Sequence, residues 1–210
     1  MGGNRMNRTR NRRKSQGGNA ILESTLCFIF LVPLLVGSVG IGMSLNRAIQ
    51  AHQVTRSAGP MYARGRKFAQ TGNQQLLVRM AAGLNLQLTG GDGVVILTRA
   101  IRIGDQQCTN GGVPLYQCTN RGQTVIASRI KFGNTSLRQS SYGNPSSSFF
   151  NSAGDAADVD YLKQSALVIP NFHSSLALAD GETAYVAETF FSSAGTGFGM
   201  GKGAYNRSIF

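Results

Sequence analysis

Apolar and polar residues fall along this chain in three regimes, the first of which is uninterrupted. From Leu26 to Leu45 the residues are Leu, Cys, Phe, Ile, Val, Gly, Met and Ser, with a single Pro33 and no charge. A helix needs about 20 apolar residues to cross roughly 30 Å of hydrocarbon. The alternative is a buried core helix, but an uncharged run of that length with no polar stripe at 3.6-residue spacing is hard to place in a globular domain of this size. The run therefore predicts a membrane-spanning helix. A secretory signal also joins a basic region to an apolar one, but its apolar part is about 7 to 15 residues and ends in a small-x-small site. Here the run is longer and no Ala-x-Ala follows it.

The second regime is helical and amphipathic. Asn46 to Phe68 sets Ala48, Ile49, His52, Val54, Met61 and Tyr62 among Arg and Gln, which predicts that the helix continues past the membrane, with a kink or end at Gly59-Pro60. Gln74 to Leu88 places Leu76, Leu77, Met80, Ala81, Leu84 and Leu88 three and four residues apart, an amphipathic helix of about four turns that Thr89 to Gly93 stops.

From Val94 the period changes to two. Val95, Leu97, Ile101 and Ile103 fall on one face of a predicted strand and Thr98, Ala100 and Arg102 on the other. In Thr124 to Phe132, Ile126, Ile130 and Phe132 share a face, so the two strands form a hairpin tipped by the Cys108 to Cys118 loop. A third strand is expected at Thr183 to Phe191. Between them, Gly133 to Gly154 is rich in Ser, Asn and Gly and reads as a long exposed, flexible loop. Its Tyr142, Phe149 and Phe150 suit adhesion or subunit contact; the alternative is a loop whose two Phe residues tuck into the core. A short helix is expected from Asp158 to Val168, ended by Pro170. The expected fold is α+β: a long N-terminal helix, transmembrane in its first half, then a small disulfide-bonded domain with an antiparallel sheet of about three strands. Its divisions are a basic leader 1–18, a transmembrane helix 19–45, a helical segment 46–88 and a soluble domain 89–210.

Charge sharpens the picture at the amino terminus. The net charge is +12, but Arg5, Arg8, Arg10, Arg12, Arg13 and Lys14 all precede Gly18 with no acid among them. Such an arm can bind phosphates without sequence preference; beside an apolar helix it acts instead as a cytoplasmic flank, placing residues 46–210 outside the cytoplasm. Arg47, Arg56, Arg64, Arg66 and Lys67 on the other side weaken that asymmetry. Cys108 and Cys118 enclose a short loop with Asn-Gly-Gly and no histidine, which reads as a disulfide worth about 3 kcal/mol and an oxidising compartment; the alternative is two unpaired cysteines in a cytosolic loop. Cys27 reads as an apolar filler.

Other chemistry is thin. Asp155, Asp158 and Asp160 do not have the spacing of an EF-hand loop, and capping of the following helix accounts for them. The glycines from Gly195 to Gly203 lack the phosphate-loop spacing, since Gly203 rather than Ser or Thr follows Lys202. With His52 and His173 as the two histidines and no Cys-His register, HExxH or Gly-x-Ser-x-Gly, the expectation is no enzyme activity, no metal and no cofactor.

Glu23 is the remaining oddity, because an ionised carboxylate at the bilayer centre costs about 2.5 to 3.5 kcal/mol, falling toward the interface. A helix-start carboxylate favoured by the macrodipole is the plain account. Its register with Gly18 suggests another. Gly18, with Glu23 as the fifth residue after it, between a basic leader and an apolar helix, resembles the type IV prepilin processing site. With Pro33 inside the apolar run and Ala63-Arg64-Gly65 beyond it, residues 10–68 most resemble the TadE-like minor pilins or pseudopilins of tight-adherence (Flp-type) pilus systems. The resemblance implies cleavage between Gly18 and Asn19 by a membrane aspartyl prepilin peptidase, and Glu23 as the assembly carboxylate. It also implies other pilin subunits, the inner-membrane assembly platform and membrane lipid as partners, with no specific nucleic acid, and a site at the inner membrane or in the extracellular pilus. Asn19 in place of phenylalanine, Ser24 in place of tyrosine, and the length of the chain depart from major pilins and point to a minor component. The alternative is an uncleaved single-pass membrane protein whose basic arm binds anionic lipid or nucleic acid.

Overall fold

The computed structural model describes residues 17–192 and 203–210. The leader arginines and most of the Gly195 to Gly203 stretch lie outside them. The chain divides into two units, one ending at Gly42 and the other running Met43–Phe210. The first is helix: α1 spans Gly17–Ala63, and within it Leu26, Phe28, Ile29, Phe30, Leu34 and Leu35 are all exposed. This is one helix long and apolar enough to cross a membrane.

The second unit is an α+β domain built on a four-stranded antiparallel sheet in the order β2-β1-β3-β4. The strands are β1 (Gly93–Arg102), β2 (Thr124–Gly133), β3 (Thr183–Phe191) and β4 (Ala204–Ile209). Three match the expected strands. The fourth was not foreseen; it lies past the glycine-rich stretch and pairs with β3 from Val186 opposite Ile209 to Phe191 opposite Ala204.

Alternation sorts side chains onto two faces. On one, Val95, Leu97, Ile130, Phe132, Ala187 and Phe191 pack against Ala51, Val54, Ala58 and Tyr62 of α1, and against Leu77 of α2 (Thr71–Met80) with Ala81 and Leu84 after it. Fully burying each Leu, Val or Phe here contributes about 1.5 to 3 kcal/mol. The hydroxyls of Thr55 and Thr189 meet at 2.6 Å in this layer. On the other face Ala100, Ile126, Ala184 and Val186 lie under Tyr142, Leu167, Ile169, Phe172 and Leu178.

Ile126 and Ile130 were expected to share a face, and they do not. Arg99 stands opposite Ser128 but Ala100 opposite Ile126, leaving Ala127 as an extra residue on β2. Such a bulge shifts the period by one, which moves every later side chain to the other face.

Three helical expectations also change. Helix α1 does not stop at Gly59-Pro60: Pro60 forfeits one backbone bond, but its carbonyl accepts from the Arg64 N–H at 3.0 Å and the helix runs to Ala63. There Gly65, at φ +81°, turns the chain while its N–H bonds the Tyr62 carbonyl and the Arg66 N–H that of Met61, the left-handed exit that glycine favours. The helix expected over Gln74 to Leu88 begins and ends earlier, as α2, and is followed by a single tight 3-10 turn ending at Leu84. The helix expected from Asp158 is α4 (Asp158–Lys163), after which Ser165–Leu167 tighten into another such turn. The N-cap of α4 is Ala157 with no side-chain cap, so Asp155 does not cap this helix. Asp155 instead pairs with Arg99 at 3.3 Å.

Gly133 to Gly154 is not simply an exposed loop. Ser140 and Tyr142 are buried, and Phe149 and Phe150 pack partly against the core.

Candidate functional site

The head of α1 carries the residues that the sequence singled out. Gly18 and Asn19 lie in its first turn, as helical backbone. Glu23 follows one turn later, where the Ser24 and Thr25 hydroxyls fold back on the Ile21 carbonyl at 3.3 and 2.8 Å. Residues four apart share a helix face, so Glu23 tops a shallow apolar trough formed with Ser24, Cys27, Phe28 and Leu31. Among the described residues Glu23 makes no ion pair, and no Lys or Arg occurs between Asn19 and Arg47. A carboxylate set beside apolar surface with no cation of its own needs one from elsewhere if it is to enter a low-dielectric bundle.

The disulfide is present. Cys108 in α3 (Asp105–Asn110) and Cys118 are bonded with their Cα atoms 6.0 Å apart. Both are buried with Ile103, Val113, Val125 and Leu162 in a small satellite core at the end of the β1–β2 hairpin. Cys27 is free and exposed on α1.

A polar centre that the sequence did not announce lies on the sheet. Glu188 of β3 is 1 % exposed and Arg129 of β2 is 5 % exposed. The Glu188 carboxylate accepts from the Ser141 N–H at 2.9 Å, the Ser141 hydroxyl at 2.7 Å, the Tyr205 hydroxyl at 2.7 Å and the Ser140 hydroxyl. The Arg129 guanidinium donates to Thr98 Oγ1 at 3.1 Å, to the Gly143 carbonyl at 2.6 Å and to Ser140 Oγ at 3.3 Å. Ser140 thus links the two charges, and together they hold the 138–144 segment onto the sheet. Burial lowers the Arg129 pKa to about 10, with Glu188 opposing the drop. Burial likewise raises Tyr205 to about 12. The Arg138 guanidinium stacks 3.9 Å above the Tyr205 ring. The centre is saturated with its own hydrogen bonds, which suits a clamp rather than a reaction site.

One signal pointed to it: in β3 Ala184, Val186 and Glu188 share a parity, so a strand burying that face buries Glu188 and requires partners for it. His52 is exposed on α1, and no three His, Cys, Asp or Glu converge on a metal position among the described residues. Compared with protein-family models, curated proteins and solved structures, the chain matches none.

Proposed function

We propose that the chain is a minor pilin or pseudopilin subunit that is incorporated in, or assists the assembly of, a Tad/Flp-type pilus used for adhesion. In this reading a prepilin peptidase removes residues 1–18 on the cytoplasmic side. The helix beginning at Asn19 holds the subunit in the inner membrane, with the disulfide-bonded domain outside the cytoplasm. The observation that carries the reading is the Glu23 carboxylate, without an ion pair among the described residues, heading an exposed apolar helix surface. A free Asn19 ammonium from a neighbouring subunit is the cation that such a carboxylate lacks, and the two attract strongly only when paired in a dry helix bundle. A cystine between Cys108 and Cys118 suits an oxidising compartment.

The test is Glu23→Ala. The exposed apolar run is untouched, so the variant still fractionates with the inner membrane, while filaments seen by electron microscopy and recovered by shearing are lost. Normal filaments from Glu23→Ala would refute the assembly role and leave Glu23 as an interfacial residue.

A further inference from the structure

Along β2, the edge strand of the sheet, two clefts of about 500 and 460 Å3 adjoin through shared walls at Ala69, Ile130 and Ser152. One wall is the turn after α1, with Arg66 and Lys67; the other is the segment from Pro145 to Asp155. Volumes in this range suit small-molecule or oligomer subsites.

The charge of this groove is one-sided. Arg66, Lys67, Arg99 and Lys131 line it against a single carboxylate, Asp155. Among the described residues Arg66 and Lys67 pair with no acid, and Arg99 reaches Asp155 through one nitrogen at 3.3 Å while its Nε is buried without a hydrogen-bond partner. A buried donor left unmade is costly, and clefts lined by one sign of charge concentrate counter-ions. Lys131 donates to the Asn144 side chain. Its pKa is lowered by burial first and by the neighbouring Arg129 second; the Arg129 part is positive potential that an arriving anion would relieve.

The uncharged polar part of the lining is hydroxyl and amide, with Gln70, Gln74, Ser147, Asn151 and Ser152, beside an apolar part from Ala69, Ile130 and Pro145. Its aromatic rings are not offered for stacking. Tyr62 is buried with its hydroxyl on Ser128 at 2.8 Å, Tyr185 is half-buried and packs edge-on against Tyr62 at 5.5 Å, and Phe150 packs partly into the core. The rings are engaged with the core rather than set out as the open base-stacking platforms on which sequence-independent single-strand binding relies. Spaced cations with amides and hydroxyls between them match a chain of spaced carboxylates on a hydroxyl-rich backbone.

We propose that the groove along β2 binds an acidic polysaccharide of the uronate class, with Arg66, Lys67, Arg99 and Lys131 taking its carboxylates. This does not depend on the processing or assembly of the chain. The test uses the full chain in detergent micelles at physiological ionic strength, with polygalacturonate, neutral dextran and single-stranded DNA as probes. The wild type binds polygalacturonate and not dextran. Arg66→Ala/Lys67→Ala and Lys131→Gln each weaken that binding by about tenfold or more, as expected for lost charge-assisted hydrogen bonds, while Arg56→Ala, an exposed cation on α1 outside the groove, leaves it unchanged. Circular dichroism melts of all variants match the wild type. Equal binding to dextran, equal loss in Arg56→Ala, or tighter binding of the DNA would each overturn the proposal.

Discussion

Replacing Glu188 by alanine should destabilise the domain more than any surface substitution could, because it removes the acceptor at the centre of a buried network. The carboxylate is the common acceptor for Ser140, Ser141 and Tyr205 and the charge that faces buried Arg129. Its removal strands the Ser141 N–H, which cannot rotate away, and leaves a 5 %-exposed guanidinium uncompensated. The two charges are joined through Ser140 rather than by a direct ion pair; removing one of two buried charges that offset each other costs about 3 to 5 kcal/mol. At about 2 to 4 °C per kcal/mol for a domain of this size, Glu188→Ala should lower Tm by about 6 to 20 °C. Thermal melts followed by circular dichroism, on the full chain with the disulfide intact, measure it. Removing both charges together, in Arg129→Met/Glu188→Leu, should cost less than Glu188→Ala alone, because no buried charge is left unpaired. A Glu188→Ala melt within about 2 °C of wild type, or a double variant no better than the single one, would refute the reasoning: the first because the network carries no stability, the second because the loss is packing and not charge.

Two further outcomes are expected. Cys108→Ala/Cys118→Ala should lose about 3 kcal/mol through the added freedom of the unfolded loop, read as a lower denaturation midpoint, with free-thiol labelling of the wild type finding Cys27 but not the paired cysteines. Tyr205, raised from 10.0 to about 12, binds its proton more tightly folded than unfolded. Its share of stability is therefore complete below pH 10 and is lost as pH climbs to about 12; the phenolate absorbance that disappears in Tyr205→Phe should be the component titrating near pH 12, and a missing component centred near pH 10 would contradict this.

How much of this could be read from residue order differs between elements, for physical reasons. The apolar run from Leu26 to Leu45 and the alternating strands β1, β2 and β3 carry their period in the local sequence, and the short Cys108 to Cys118 spacing almost dictates its own closure. The bulge at Ala127 could not be read, because an extra residue opposite Arg99 is decided by two strands at once; it divided Ile126 from Ile130. Strand β4 was missed because Ala204 to Ile209 mixes Tyr, Asn, Arg and Ser, and only pairing with β3 makes it a strand. Pro60 does not end the helix because, three residues from the helix end, the lost bond costs little beside the burial of Ala58 and Tyr62. The burial of Ser140 and the bond of Ser141 to the sheet gave no local sign, since their partner Glu188 is 48 and 47 residues away. At the head of α1, the Gly18 and Glu23 register and the solitary carboxylate were legible at once, because both are properties of one uninterrupted helix.

The most direct test of the pilin reading is the mature amino terminus, determined by mass and terminal sequencing on protein from cells containing the cognate peptidase, with Gly18→Ala as the control. The account predicts a chain beginning at Asn19 in the wild type and an unprocessed chain in Gly18→Ala. A wild-type terminus still at Met1 or Gly2 would contradict it.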